Sequence, residues 1–152
     1  MADSFELLTG ELADLLGDAP GGQSPHGASF HVDGVAFALA RPRGPAELLS
    51  VYCTFGALAP EARESDYLRL LESNLMLASS CSGAFGFIGE TREVVYAFHL
   101  PLRDMSAPLL LNALRHTAGQ AHAWRQSQLA PADGVSYAPV ATPLTQVEGV
   151  LP

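Results

Sequence analysis

The chain contains no lysine; all 8 of its basic residues are arginine. A Walker A phosphate loop, a protein-kinase nucleotide site, a Ser-x-x-Lys hydrolase and a Schiff-base enzyme each require a lysine amine, so these chemistries are excluded. Charge of any kind is scarce, at 16% of residues, where about 25% is usual. What charge there is leans acidic, with 16 Asp and Glu and a formal net charge of −8. That is the wrong sign for a partner built of phosphates, and no nucleic-acid role is expected. Cysteine is nearly absent. Cys53 and Cys81 form no CxxC pair and no disulfide framework, and read as two reduced, buried thiols, with a single bridge between them as the alternative. No apolar run reaches the ~18 residues of a membrane span, and the acidic start, with Asp3 and Glu6, is unlike a secretory signal peptide. A soluble, intracellular protein without membrane insertion is expected.

The acid is unevenly placed: residues 1–66 hold ten acids and three Arg, whereas 67–152 hold six and five. A first helix is predicted over residues 3–17, with Asp3 and Glu6 at capping-box spacing and Gly17 as its stop. Phe5, Leu8, Leu12, Leu15 and Leu16 fall within an arc of about 100° on it, and Leu7 is the misfit. Residues 18–27 read as a Gly/Pro loop without pattern. Asp33-Gly34 then reads as a two-residue type I′ turn between alternating strands. Pairing Val32 with Val35 puts Ala28, Phe30, Val32, Val35, Phe37 and Leu39 on one face, and Ser29, His31, Ala36, Ala38 and Ala40 on the other.

After the RPRGP break, residues 48–55 read as a third strand and 61–80 as a second helix. The apolar arc of that helix, including Tyr67, Leu68, Leu70, Leu71, Leu75, Leu77 and Ala78, covers about 180°. An arc so wide predicts two partners for the helix, its own sheet and a second subunit. Residues 83–88 and 93–100 form a strand pair around Gly89-Glu90-Thr91-Arg92, and a third helix runs from near 106 to about 128 with Leu110, Leu114, Thr117, Ala121 and Trp124 inward. The last 23 residues carry four prolines and two charges, and read as a flexible tail, 130–152, behind one domain spanning 1–129. The expected fold is α+β, in the order α-β-β-β-α-β-β-α, with a twisted antiparallel sheet.

Chemistry is hard to find. The five histidines form no i, i+4 pair, and Gly83, Gly86 and Gly89 lead into a strand where a dinucleotide loop would lead into a helix. These glycines read as bulges or close approaches. No G-x-S-x-G elbow exists, and neither cysteine has a base beside it. No catalytic residue, metal or cofactor is expected; the chain offers apolar faces for binding. The rival class is a small-ligand-binding or regulatory α+β sensor, with its ligand held between sheet and helix.

The stretch 65–102 resembles the class I type III secretion chaperones of the CesT/Tir-chaperone type. The likeness is carried by Leu70-Leu71, Asn74-Leu75-Met76-Leu77, Gly83-Ala84-Phe85 and Leu100-Pro101-Leu102, and the element order extends it over about 3–128. The resemblance implies a homodimer in the bacterial cytoplasm, without enzymatic activity. Such a dimer binds the N-terminal region of an effector in extended form, keeps it soluble and hands it to the secretion ATPase or export apparatus. It implies effector-binding grooves on the first helix and first hairpin, at Phe5, Leu8, Leu12, Leu15, Leu16, Phe30, Val32, Val35, Phe37 and Leu39. It implies a dimer interface at Leu68, Leu71, Asn74, Leu75, Ala78, Phe85 and Phe87. Asn74 has two readings. A lone amide in an apolar seam fixes the register of a two-fold contact, or it bonds a nearby backbone group within one subunit.

Overall fold

The computed structural model describes residues 3–17, 21–44, 47–80 and 83–129. Cys81 and the expected tail from residue 130 lie outside the described residues. Helix α1 (Ser4–Leu16) begins at Asp3, whose carboxylate accepts from the Phe5 N–H at 3.0 Å, and stops at Gly17 in the left-handed region. Glu6 does not close the expected capping box. Its carboxylate accepts from Arg41 Nη2, while Asp3 meets Arg41 Nη1, and the guanidinium lies 5.1 Å from the centre of the Phe5 ring. Arg41 thus ties the start of α1 to the chain just after the first hairpin.

Strand β1 (Gly22–Ser24) lies in the segment expected to be an unpatterned loop. It pairs with β2 (Gly27–Val32) through the backbone, and its three residues, Gly22, Gln23 and Ser24, are all exposed. There was no hydrophobic alternation to read. The β2–β3 hairpin keeps the expected register, with Val32 opposite Val35 and Phe30 opposite Phe37 in β3 (Val35–Ala40). Asp33 and Gly34 both take positive φ, 50° and 77°, as a type I′ turn requires.

Strand β4 (Leu48–Ala57), helix α2 (Glu64–Ala78), strands β5 (Ala84–Ile88) and β6 (Glu93–Pro101) and helix α3 (Ala107–Leu129) complete the order. The fold is α+β, with a six-stranded antiparallel sheet ordered β1-β2-β3-β4-β6-β5, one strand more than expected. Helices α1 and α3 lie on one face of this sheet and against each other. Alternation along the strands sends Phe30, Val32, Val35, Phe37, Leu39, Leu49, Val51, Cys53, Phe55, Val94 and Tyr96 into that layer. From α3 it receives Leu110, Leu114, Thr117, Ala121 and Trp124, the inward face expected from the sequence.

The layer is locked at one irregular point. Between Thr54 and Gly56 the β4–β6 register shifts, and Arg125 of α3 donates to both freed carbonyls, from Nε to Phe55 O at 2.5 Å and from Nη2 to Thr54 O at 3.1 Å. Gly83 enters β5 at φ 134°, and a Cβ there would stand 2.5 Å from Ala97 O. Only glycine permits this approach to β6, so the reading of Gly83 as a close contact is confirmed.

Candidate functional site

Helix α2 stands apart from the core. None of its residues is fully buried, and among the described elements β5 is the one it packs against. Tyr67, Leu70 and Leu77 turn inward toward the core cluster, and Tyr67 meets Phe87 edge-to-face at 5.3 Å. Arg92 donates from Nη2 to Ala59 O at 2.8 Å and to the Tyr67 hydroxyl at 3.4 Å, pinning the entry to α2 against the β5–β6 turn. The other half of the wide apolar arc faces outward: Leu68, Leu71 and Leu75 are 49%, 63% and 68% exposed. Spaced i, i+3, i+7, they form one stripe, and Phe87 and Ile88 on β5 are exposed as well.

Asn74 lies between the two halves. Its Nδ2 donates to Phe85 O at 2.9 Å and its Oδ1 accepts from Phe85 N–H at 2.6 Å. Of the two readings of this residue, the structure shows the bond within one chain.

Eight of the ten expected effector-binding residues lie in the core. Phe5, Leu8, Leu12, Phe30, Val32, Val35, Phe37 and Leu39 are buried in the chain's own core, and Leu16 is half-buried. The physical reason is the layering: α1 and α3 both cover the large-residue face of the hairpin. The uncovered face carries the small residues Ser29, Ala36, Ala38 and Ala40, extended across the sheet by Ser50, Tyr52, Ala97 and His99. On α1, Leu15, one of the residues expected to meet an effector, is 50% exposed, and the misfit Leu7 is exposed too, at 55%. The spacing of Leu7, Glu11 and Leu15, four residues each, sets an acid between two open leucines on one side of the helix. Sequence reasoning missed Leu7, Tyr52 and Ile88 as surface groups. The signal for Leu7 was present, as the one leucine off the buried arc.

Of the residues expected at a dimer interface, Leu68, Leu71, Leu75, Ala78 and Phe87 are exposed, whereas Asn74 and Phe85 are half-buried and engaged with each other. Phe85 also packs edge-on against Phe55 at 5.0 Å, inside the ring cluster with Tyr96. The layer where a sensor would hold a ligand is filled by Leu12, Leu39, Leu49, Phe55, Leu110 and Leu114, all fully buried. Cys53 is a free, buried thiol there, and loss of solvation pushes its pKa up to about 12 against a smaller opposing pull from Arg125.

A sheet closed on one face by two helices, with a third helix holding an exposed leucine stripe off its edge, defines an α+β fold. The model of the Tir chaperone protein (CesT) family matches residues 26–125, and the chain belongs to that family. Among solved structures it is similar to the ExsC–ExsE complex, with a TM-score of 0.68 and 18% identity, over 84% of this chain and 94% of that one. It is similar to the HopA1–SchA chaperone–effector complex, with a TM-score of 0.63 and 15% identity, over 83% and 99%. The Yersinia pestis type III secretion chaperone SycH, solved with a stable fragment of YscM2, follows at a TM-score of 0.58 and 20% identity, over 78% and 98%. At such identities these likenesses establish the fold. No curated protein matches the sequence.

Proposed function

We propose that the chain is a type III secretion chaperone. As a homodimer in the bacterial cytoplasm it binds the N-terminal region of one or more effectors in extended form, keeps them soluble and delivers them to the export apparatus. The observation that carries this reading is the separation of two open apolar surfaces on a member of this family. The α2 stripe of Leu68, Leu71 and Leu75 suits a second copy, because an apolar stripe set against its own two-fold copy takes apolar surface out of water on both sides at once. The α1 side of Leu7, Glu11 and Leu15 suits a client segment that alternates apolar and basic residues. Two of the similar structures support a protein client as such, one being a chaperone–effector complex and one a secretion chaperone with a fragment of another protein.

The mechanism is shielding, with no bond made or broken. Apolar client side chains leave water against the open leucines, each fully buried leucine contributing about 1.5–3 kcal/mol. A client held extended cannot collapse on itself, and two equivalent surfaces per dimer raise the effective concentration along one bound chain. The test is co-expression with a secreted protein from the same bacterium, followed by limited proteolysis of the complex. The reading expects the client's N-terminal region to be retained and protected, and to be lost in Leu7→Asp/Leu15→Asp with the chaperone's own mass unchanged. Retention of the client through a folded C-terminal domain, or equal retention by the variant, contradicts it.

A further inference from the structure

Among the described residues strand β5 ends the sheet, and an edge strand presents main-chain donors and acceptors that invite another strand to pair. The segment is poorly defended in the usual ways, since Ala84–Ile88 reads AFGFI, with no charge and no proline. Phe85 lies opposite Tyr96 of β6, and its N–H and C=O are bound on the other side by the Asn74 carboxamide. One acceptor and one donor, 2.6 Å and 2.9 Å from the two groups of a single residue, reproduce the two-bond exchange of an antiparallel pair. Phe87, two residues on, turns its main-chain groups the same way, and α2 sets the Tyr67 ring against its side chain.

We infer that Asn74 acts as a surrogate strand: it closes the β5 edge, so that a second copy of this chain meets the leucine face of α2 and cannot continue the sheet. The inference rests on the proposed reading of α2 as the face between copies, and adds the residue that decides between two modes of self-association. Side-on helix contact closes into a dimer, because it is isologous. Pairing of two β5 edges, added to that helix contact, would give each copy a second interface, and assembly would then grow beyond the dimer. Asn74 also sets where α2 sits along β5, and so the height at which Leu71 and Leu75 are presented. A leucine at this position would fill the space and leave both Phe85 groups unbonded.

The experiment combines amide hydrogen exchange with light scattering on the full chain. In the wild type the Phe85 N–H should exchange at least tenfold more slowly than that of Phe87; equal rates overturn the inference without any variant. Asn74→Ala should abolish that protection and give species larger than a dimer, and should bind a synthetic peptide of residues 83–88 that the wild type ignores. Adding Ile88→Lys, a charge on the strand edge, should return the mass of Asn74→Ala toward that of the wild type. If Asn74→Ala keeps the wild-type mass and does not bind the peptide, the inference fails even where the dimer stands. If the wild type itself is monomeric at all concentrations, the dimer reading fails, while the exchange and peptide results still judge the edge cap.

Discussion

Arg125, Cys53 and Leu12 each carry a single-residue consequence. Arg125 satisfies two main-chain carbonyls at the β4 irregularity with a planar fork that a lysine cannot copy. Arg125→Lys should therefore destabilise the chain by about 1–3 kcal/mol, the usual penalty for leaving such groups without donors, read as a lowered denaturation midpoint. For Cys53, with its pKa raised to about 12 from 9.0, the sign follows from linkage. The native state holds its proton between these values while the unfolded chain loses it. The contribution is complete below pH 9 and should decline by about 1.4 kcal/mol per pH unit above it, a decline that Cys53→Ala should remove. Native Cys53 should also resist alkylation at pH 8 until the chain is unfolded. Leu12 and Phe37, as members of a groove on the sequence expectation, would take Asp substitutions that cost only client binding. As fully packed core residues, they would take the same substitutions as unfolding changes. The sequence showed correctly that these residues form an apolar face. Whether a face meets its own helices or a partner is settled by layer order, which periodicity does not encode.

At the scale of elements, α2 shows how far periodicity reaches. Its arc of about 180° announced two partners, and the structure supplies one of them, β5, leaving Leu68, Leu71 and Leu75 open. Since these side chains lie outside the core cluster, Leu71→Asp/Leu75→Asp should give a soluble, folded monomer. A far-UV spectrum like the wild type's, with half the mass, checks it. The β2–β3 hairpin was readable to the residue because turn chemistry and alternation agreed. Strand β1 was invisible for the opposite reason: three exposed small or polar residues pair through the main chain alone. Asn74 stood out as a polar residue in an apolar arc, yet its partner, a main-chain group eleven residues away on an edge strand, is a fact of tertiary placement.

Across the whole molecule, low charge and uneven acidity acquire a location. A sheet with two helices on one face leaves α2 and one side of α1 as apolar surfaces at separate places. Of the ten acids in residues 1–66, against three Arg, Glu6, Glu11 and Asp14 lie on α1 itself, which carries no basic residue. Clients with basic segments should therefore associate faster at low salt, by about tenfold or more between 0.01 and 0.15 M ionic strength. Stopped-flow rates that do not change with salt would contradict this. The absence of lysine excludes several enzymes but plays no part in this account of binding. The central claim, that α2 joins two copies and leaves α1 for the client, is tested most directly by the molar mass of the purified chain in solution. For a chain of 16.0 kDa, light scattering should give twice that mass for the wild type and the single-chain mass for Leu71→Asp/Leu75→Asp. A wild type that stays at 16.0 kDa across concentration, or a variant that keeps the dimer mass, would contradict it.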